Sequence, residues 1–256
     1  MSTAFLENKE RNKGVKGGSW QARRAFQQER DGMVIGLVDH YEVLTRELLC
    51  ALLDWQRTLP NLKMAEKLLR RLGSQGHFHQ IAQDGMTYAV TLSISLRKKH
   101  ERKQLAHRFM GARRSSTLDR AVACDEKRTG RMLWAQGGTI VPDEFSRIGT
   151  HGLFFEDNVG RDHFANIPAK SALYFRDRAY LKQLYGIDSF QVIWNSKLVS
   201  RVAKIVEALQ GIGRGSMFLV CHEETFSPFD PLSILQPIFH CPYDHHMHRL
   251  LEDPYA

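Results

Sequence analysis

Long apolar runs are missing from this chain: none approaches the roughly 18–20 residues that a membrane-spanning helix needs. The opening stretch MSTAFLENKERNKGVKGGSW is polar and basic, without the apolar segment of a signal peptide. Cysteine is scarce as well. Cys50, Cys124, Cys221 and Cys241 lie far apart and form no C-x-x-C pair, which argues against a disulfide framework or a four-thiolate zinc site. No GxxxxGK[ST] phosphate loop and no internal repeat occur. These absences point to a cytoplasmic protein with no membrane partner. Acidic charge is scarce in one half only. Through Arg128 there are 24 Lys+Arg against 14 Asp+Glu, a net of +10, and from Thr129 onward 12 against 14, a net of −2. A basic half joined to a near-neutral half suggests a polyanion-binding module, with double-stranded DNA the favoured partner, attached to something else.

At 256 residues the chain is long enough for one large domain or two ordinary ones. Residues 1–24 read as a disordered basic arm, with Lys9, Arg11, Lys13 and Lys16 among glycines. Three helical segments follow. ERDGMVIGLVDHYEV would bury Met33, Ile35, Leu37 and Val38, and LTRELLCALLDWQRT starts at Thr45, a good N-cap. NLKMAEKLLRRLGSQG opens after Pro60 with Asn61 as its cap. It would bury Leu62, Ala65, Leu68, Leu69 and Leu72, leaving Lys63, Lys67, Arg70 and Arg71 outside. HFHQIAQDGMTYAVTL then alternates around Asp84–Gly85, a two-residue hairpin signal. Three helices and a hairpin, the last helix basic, resemble a winged helix-turn-helix over residues 25–95. In that arrangement Lys63, Lys67, Arg70 and Arg71 would face DNA, with His77 and His79 at the start of the wing.

Residues 96–128 read as a basic helical linker, with Leu105, Phe109, Leu118, Ala121 and Val122 as its apolar positions. Residues 129–256 alternate strand and helix: MLWAQGGTIVPD, GLFFEDN, IPAKSALYFRDRAYLKQLYG, SFQVIW, SKLVSRVAKIVEALQG and GSMFLVCHEE. The expected fold class is therefore α+β in two domains, the second an α/β body with a C-terminal tail.

Within TIVPDEFSRIGTHGLFFEDNVG, acids gather at Asp143, Glu144, Glu156 and Asp157. Metal-assisted phosphodiester cleavage needs oxygen ligands around Mg²⁺ and a cation to steady the attacking water. VPDEF and FFEDN resemble the PD-(D/E)XK nuclease fold through Asp143 and Glu156, but Asn158 stands where the triplet would carry lysine. Lys170, in the next helix and four residues before Tyr174, is the candidate replacement. By element order from about residue 30 to 220, the chain resembles the replication-relaxation family of plasmids and integrated mobile elements. That resemblance implies a DNA-binding protein acting in replication, mobilisation or transcription beside replication or transfer proteins, and a winged helix on a two-fold site would make it a homodimer. It also implies a degenerate nuclease-like domain with no cofactor. The alternative is an active Mg²⁺-dependent endonuclease or nickase using Asp143, Glu156, Asp157 and Lys170.

Two further clusters are less informative. FHCPYDHHMH carries zinc-ligand residue types at His240, Cys241, Asp244, His245, His246 and His248. It reads as a loop-rich tail packed through Ile238, Phe239 and Tyr243. Cys221–His222 lacks the companions that a thiol hydrolase needs.

Overall fold

The computed structural model describes residues 20–83, 85–94, 104–122, 124–129, 140–158 and 166–251. These divide into two compact units, one of residues 20–50 and 58–94, the other of 51–57 and the described residues from 104 onward. The chain is α+β, with a helical N-terminal region and, among the described residues, two sheets. Most of the expected basic arm, the hairpin tip at Asp84, the basic run 95–103 and most of the expected strand at 132–143 lie outside the described residues.

In the first unit, α1 (Trp20–Tyr41) begins within the stretch expected to be an arm. Its buried positions are Val34 and Val38, one turn apart, while Met33, Ile35 and Leu37 are only half-buried. After Glu42, which takes a positive φ of 64°, come β1 (Val43–Leu44) and α2 (Arg46–Leu52). The Thr45 hydroxyl caps α2 by accepting from the Leu48 N–H at 3.3 Å. Helix α3 spans Leu59–Ser74 and starts two residues earlier than Asn61. Pro60 sits inside its first turn, where the missing N–H costs nothing. Ala65, Leu68, Leu69 and Leu72 form its buried stripe. The hairpin β2 (His79–Gln83) and β3 (Met86–Val90) pairs Gln83 with Met86, and Gly85 supplies the positive φ of 76° that the tight turn requires. Strand β3 lies between β1 and β2, all antiparallel.

The second unit is built on a seven-stranded mixed sheet in the order β10-β9-β8-β7-β6-β5-β4. The strands are β4 (Glu126–Thr129), β5 (Glu144–Ile148), β6 (His151–Asn158), β7 (Ser189–Ser196), β8 (Phe218–His222), β9 (Phe239–His240) and β10 (Met247–His248). β6, β7 and β8 run parallel, so each link crosses over through helices. The first crossover is α5 (Asn166–Arg176) and α6 (Arg178–Tyr185), two helices where the sequence pattern suggests one, and the second is α7 (Val199–Leu209). Successive side chains of β6 enter opposite cores, as a strand's two-residue period demands. Phe154 joins Phe145, Tyr174, Phe190 and Ile205 on one face. Leu153 and Phe155 join Leu118, Ile193, Phe226 and Phe239 on the other.

Helix α4 (Leu105–Ala121) is the main departure from the expected architecture, in which it forms part of a linker. It is a packed layer that buries Leu105, Met110, Ala112 and Leu118 together with Arg114, Ser116 and Thr117. Arg114, Ser116 and Thr117 are buried because each finds a partner. Ser116 and Thr117 hydroxyls donate to the Arg113 carbonyl, and Arg113 Nε donates to the Phe226 carbonyl at 2.8 Å. Arg120 donates to the Ala51 carbonyl and pairs with Asp54 at 2.6 Å, tying residues 51–57 to this unit. The tail also differs from its expected form. It contributes β9 and the edge strand β10, and although Phe239 is buried as expected, Tyr243 is 57% exposed.

Candidate functional site

The acids do meet, by a route other than the expected one. The sequence pattern puts Asp143 at the end of a strand TIV. The strand instead begins at Glu144, so Asp143 precedes β5 while Glu156 and Asp157 close β6. In an antiparallel hairpin the start of one strand lies beside the end of its partner. Glu144 faces Phe155 accordingly, the Asp143 N–H donates to the Phe155 carbonyl at 3.0 Å, and the Asp157 N–H donates to Asp143 Oδ2 at 2.7 Å.

The alternation of β6 then divides the acids between two faces. Glu156 points toward α5 and is 2% exposed. Lys170 Nζ donates to its Oε2 at 2.5 Å and to the Val141 carbonyl at 3.0 Å, while the Tyr174 hydroxyl donates to its Oε1 at 2.6 Å. Burial pushes the Glu156 carboxyl up to about 8, against the downward pull of Lys170, with Asp143 adding to the rise. Burial and the Glu156 carboxylate likewise raise the Tyr174 phenol well above its ordinary value. Lys170 thus reaches the acid that the sequence pattern assigns to it. At the position of the absent triplet lysine, Asn158 Oδ1 accepts from Arg201 Nη1 at 3.0 Å, so α7 also brings a guanidinium to this end.

Asp157 points the other way, toward α4. Arg114, 1% exposed, donates to Asp157 Oδ1 at 2.6 Å and to Glu144 Oε2 at 2.7 Å. Its carbon Cζ lies 4.4 Å from the centre of the Phe155 ring. Burial alone would lower the guanidinium pKa, but the two carboxylates hold it above its ordinary value, so it stays charged. Asn195 Nδ2 donates to Asp157 Oδ1 at 3.1 Å, and Ser115 Oγ donates to Glu144 Oε1 at 2.8 Å. The pairing of Arg114 with Glu144 is not visible in the sequence. Their only signal there is charge, in a stretch dense with other charges.

The Glu156 oxygens already accept from Lys170 and Tyr174, so a Mg²⁺ shared by Asp143 and Glu156 would compete with those bonds for the carboxylate lone pairs. Two other groups have ligand atoms within 4.8 Å of one another: His107, Asp143 and Asp157, and Cys241, Asp244 and His248. In the second, His248 Nε2 already meets Asp244 Oδ2 at 2.7 Å, and Cys241 Sγ donates to the Gly215 carbonyl at 3.3 Å.

In the first unit, Lys63, Lys67 and Arg70 are exposed at a helical spacing that puts them on one side of α3. Arg70 pairs with Glu66 at 2.9 Å yet keeps 73% of its side chain exposed. Arg71 is set apart from them. It turns toward α1 and pairs with Asp31 at 2.6 Å, so its charge is spent holding two helices together. His77 and His79 are exposed beside the hairpin, which Gln80 anchors to α3 by donating to the Leu69 carbonyl at 2.8 Å. No helix among the described residues is long and apolar enough to cross a membrane. Comparison with models of protein families, with curated proteins and with solved structures finds no match.

Proposed function

We propose that the protein binds double-stranded DNA through its first unit, acting there as a winged helix. The second unit is then a nuclease-like body of the PD-(D/E)XK type that does not cleave. The observation that carries this reading is the element order helix, strand, helix, helix, hairpin, with Lys63, Lys67 and Arg70 exposed on the helix before the hairpin. A helix of that kind fits the major groove, and its cations reach phosphates and base edges while the hairpin lies along the backbone. The glutamates of the second unit support the inactive reading, because both oxygens of Glu156 and of Glu144 already accept hydrogen bonds. The resemblance to the replication-relaxation family points to replication, mobilisation or transcription of a mobile element, with a homodimer on a two-fold site.

Fluorescence anisotropy with duplex oligonucleotides at several salt concentrations tests the reading. The triple variant Lys63→Ala, Lys67→Ala, Arg70→Ala should bind more weakly, with a salt dependence shallower by about 0.9 for each phosphate no longer neutralised. Unchanged affinity and slope would overturn the proposed interface. Mg²⁺-dependent nicking that disappears in both Asp143→Ala and Glu156→Ala would overturn the inactive reading of the second unit.

A further inference from the structure

The α4 side of the acidic end carries an excess of negative charge that the described residues do not balance. Asp143, Glu144 and Asp157 gather there around a single buried guanidinium, Arg114. Each aspartate keeps one oxygen that no described residue engages. Asp143 uses Oδ2 for the Asp157 N–H, and Asp157 uses Oδ1 for Arg114 and Asn195. His107, in the first turn of α4, places a ring nitrogen within 4.8 Å of both carboxylates. Its Nδ1 is buried without a hydrogen-bond partner among the described residues. A buried ring nitrogen left without a partner is costly unless something binds there.

We infer that His107, Asp143 and Asp157 form a site for a divalent first-row transition metal, on the face of β6 opposite Glu156. One imidazole and two carboxylates suit Mn²⁺ through Zn²⁺. Mg²⁺ prefers an all-oxygen shell and gains little from a nitrogen ligand. A dication would offset the local excess of carboxylate charge. It would also fasten the first turn of α4 to the end of the hairpin. Asp143 is exposed, which leaves a path for the ion and room for water to complete its shell. The site is independent of the DNA-binding reading, since none of its ligands belongs to the first unit.

The test uses the full-length protein, stripped with a chelator and titrated with Mn²⁺. Free Mn²⁺ is counted by electron paramagnetic resonance, and nitrogen coupling to bound Mn²⁺ is read by spin-echo modulation. Wild type should bind Mn²⁺ with imidazole coupling and prefer it to Mg²⁺. His107→Gln should lose that coupling, and both His107→Gln and Asp143→Asn should lose at least about tenfold in affinity, the loss that even an outer-shell partner causes. Glu156→Gln, on the other face, should bind as wild type does. Thermal melts in chelator establish that each variant is folded. Nitrogen coupling that persists in folded His107→Gln, or a loss of Mn²⁺ binding in Glu156→Gln, overturns the assignment. Absence of Mn²⁺ binding by wild type overturns it as well. Duplex binding measured on the same samples tells a failed metal site apart from a failed DNA interface.

Discussion

Replacing Arg114 by methionine removes the one cation held between Glu144 and Asp157 while keeping a side chain of similar reach. The two carboxylates are 8% and 2% exposed, so water does not replace the lost partner. Breaking a buried pair by deleting one member costs about 3–5 kcal/mol, and the stacking on Phe155 adds to that loss. For a unit of this size, about 2–4 °C per kcal/mol translates to a fall in Tm of roughly 6–20 °C. The loss also depends on pH, with a definite sign. Burial already raises the folded-state pKa of Asp157 above its unfolded value of roughly 4, and without the guanidinium's opposing pull the rise grows. The folded variant then binds protons that the unfolded chain does not, so its stability recovers as pH falls from 7 toward about 5. Urea denaturation followed by circular dichroism at pH 7, 6 and 5 measures both effects. The triple replacement Arg114→Met, Glu144→Gln, Asp157→Asn should regain much of the loss, because no charge is then left buried. A loss below about 1 kcal/mol at pH 7, or a gap between wild type and Arg114→Met that ignores pH, would refute the account of a buried ion cluster.

Two further measurements follow from the same reasoning. Glu156, with a folded carboxyl near 8 against an ordinary 4.5, binds its proton more tightly in the folded state, so stability should fall as pH rises from about 5 to 8 and level off above. Glu156→Gln should flatten that part of the urea-midpoint profile, and identical profiles would rule the shift out. Arg71→Ala should lower the stability of the first unit by about 1 kcal/mol, since its pair with Asp31 is partly exposed. It should leave the salt dependence of duplex binding as it was. A shallower slope would return Arg71 to the DNA-facing set.

Much of the first unit is legible in the sequence because its buried stripes are apolar and its breaks are marked by Thr45, Gly76 and Gly85, although α3 runs through Gly73 to Ser74. The α3 stripe of Ala65, Leu68, Leu69 and Leu72 stands out for that reason. The start of α3 does not, because Pro60 reads as a stop in sequence and serves as a first-turn residue in the folded helix. The α1 stripe differs from the expected one, since M-V-I-G-L-V offers apolar side chains on every side of a helix. In the second unit, FQVIW and FLVCH announce buried strands through continuous hydrophobicity. Helix α4 is legible as a helix, but its place as a packed layer escapes such patterns because much of what it buries is polar.

By itself the sequence determined the basic and near-neutral halves, the main apolar strands and helices, and the presence of carboxylates in a short segment. Those properties are local: composition, a period of two or of 3.6, and a glycine where the chain must turn. Only the tertiary structure decided which carboxylates meet and what each one meets. Hairpin register set Asp143 beside the end of β6, and strand alternation sent Glu156 to Lys170 and Asp157 to Arg114. The partners are up to 43 residues apart in sequence. Whether a buried charge is tolerated depends on those long-range neighbours, which no local pattern encodes.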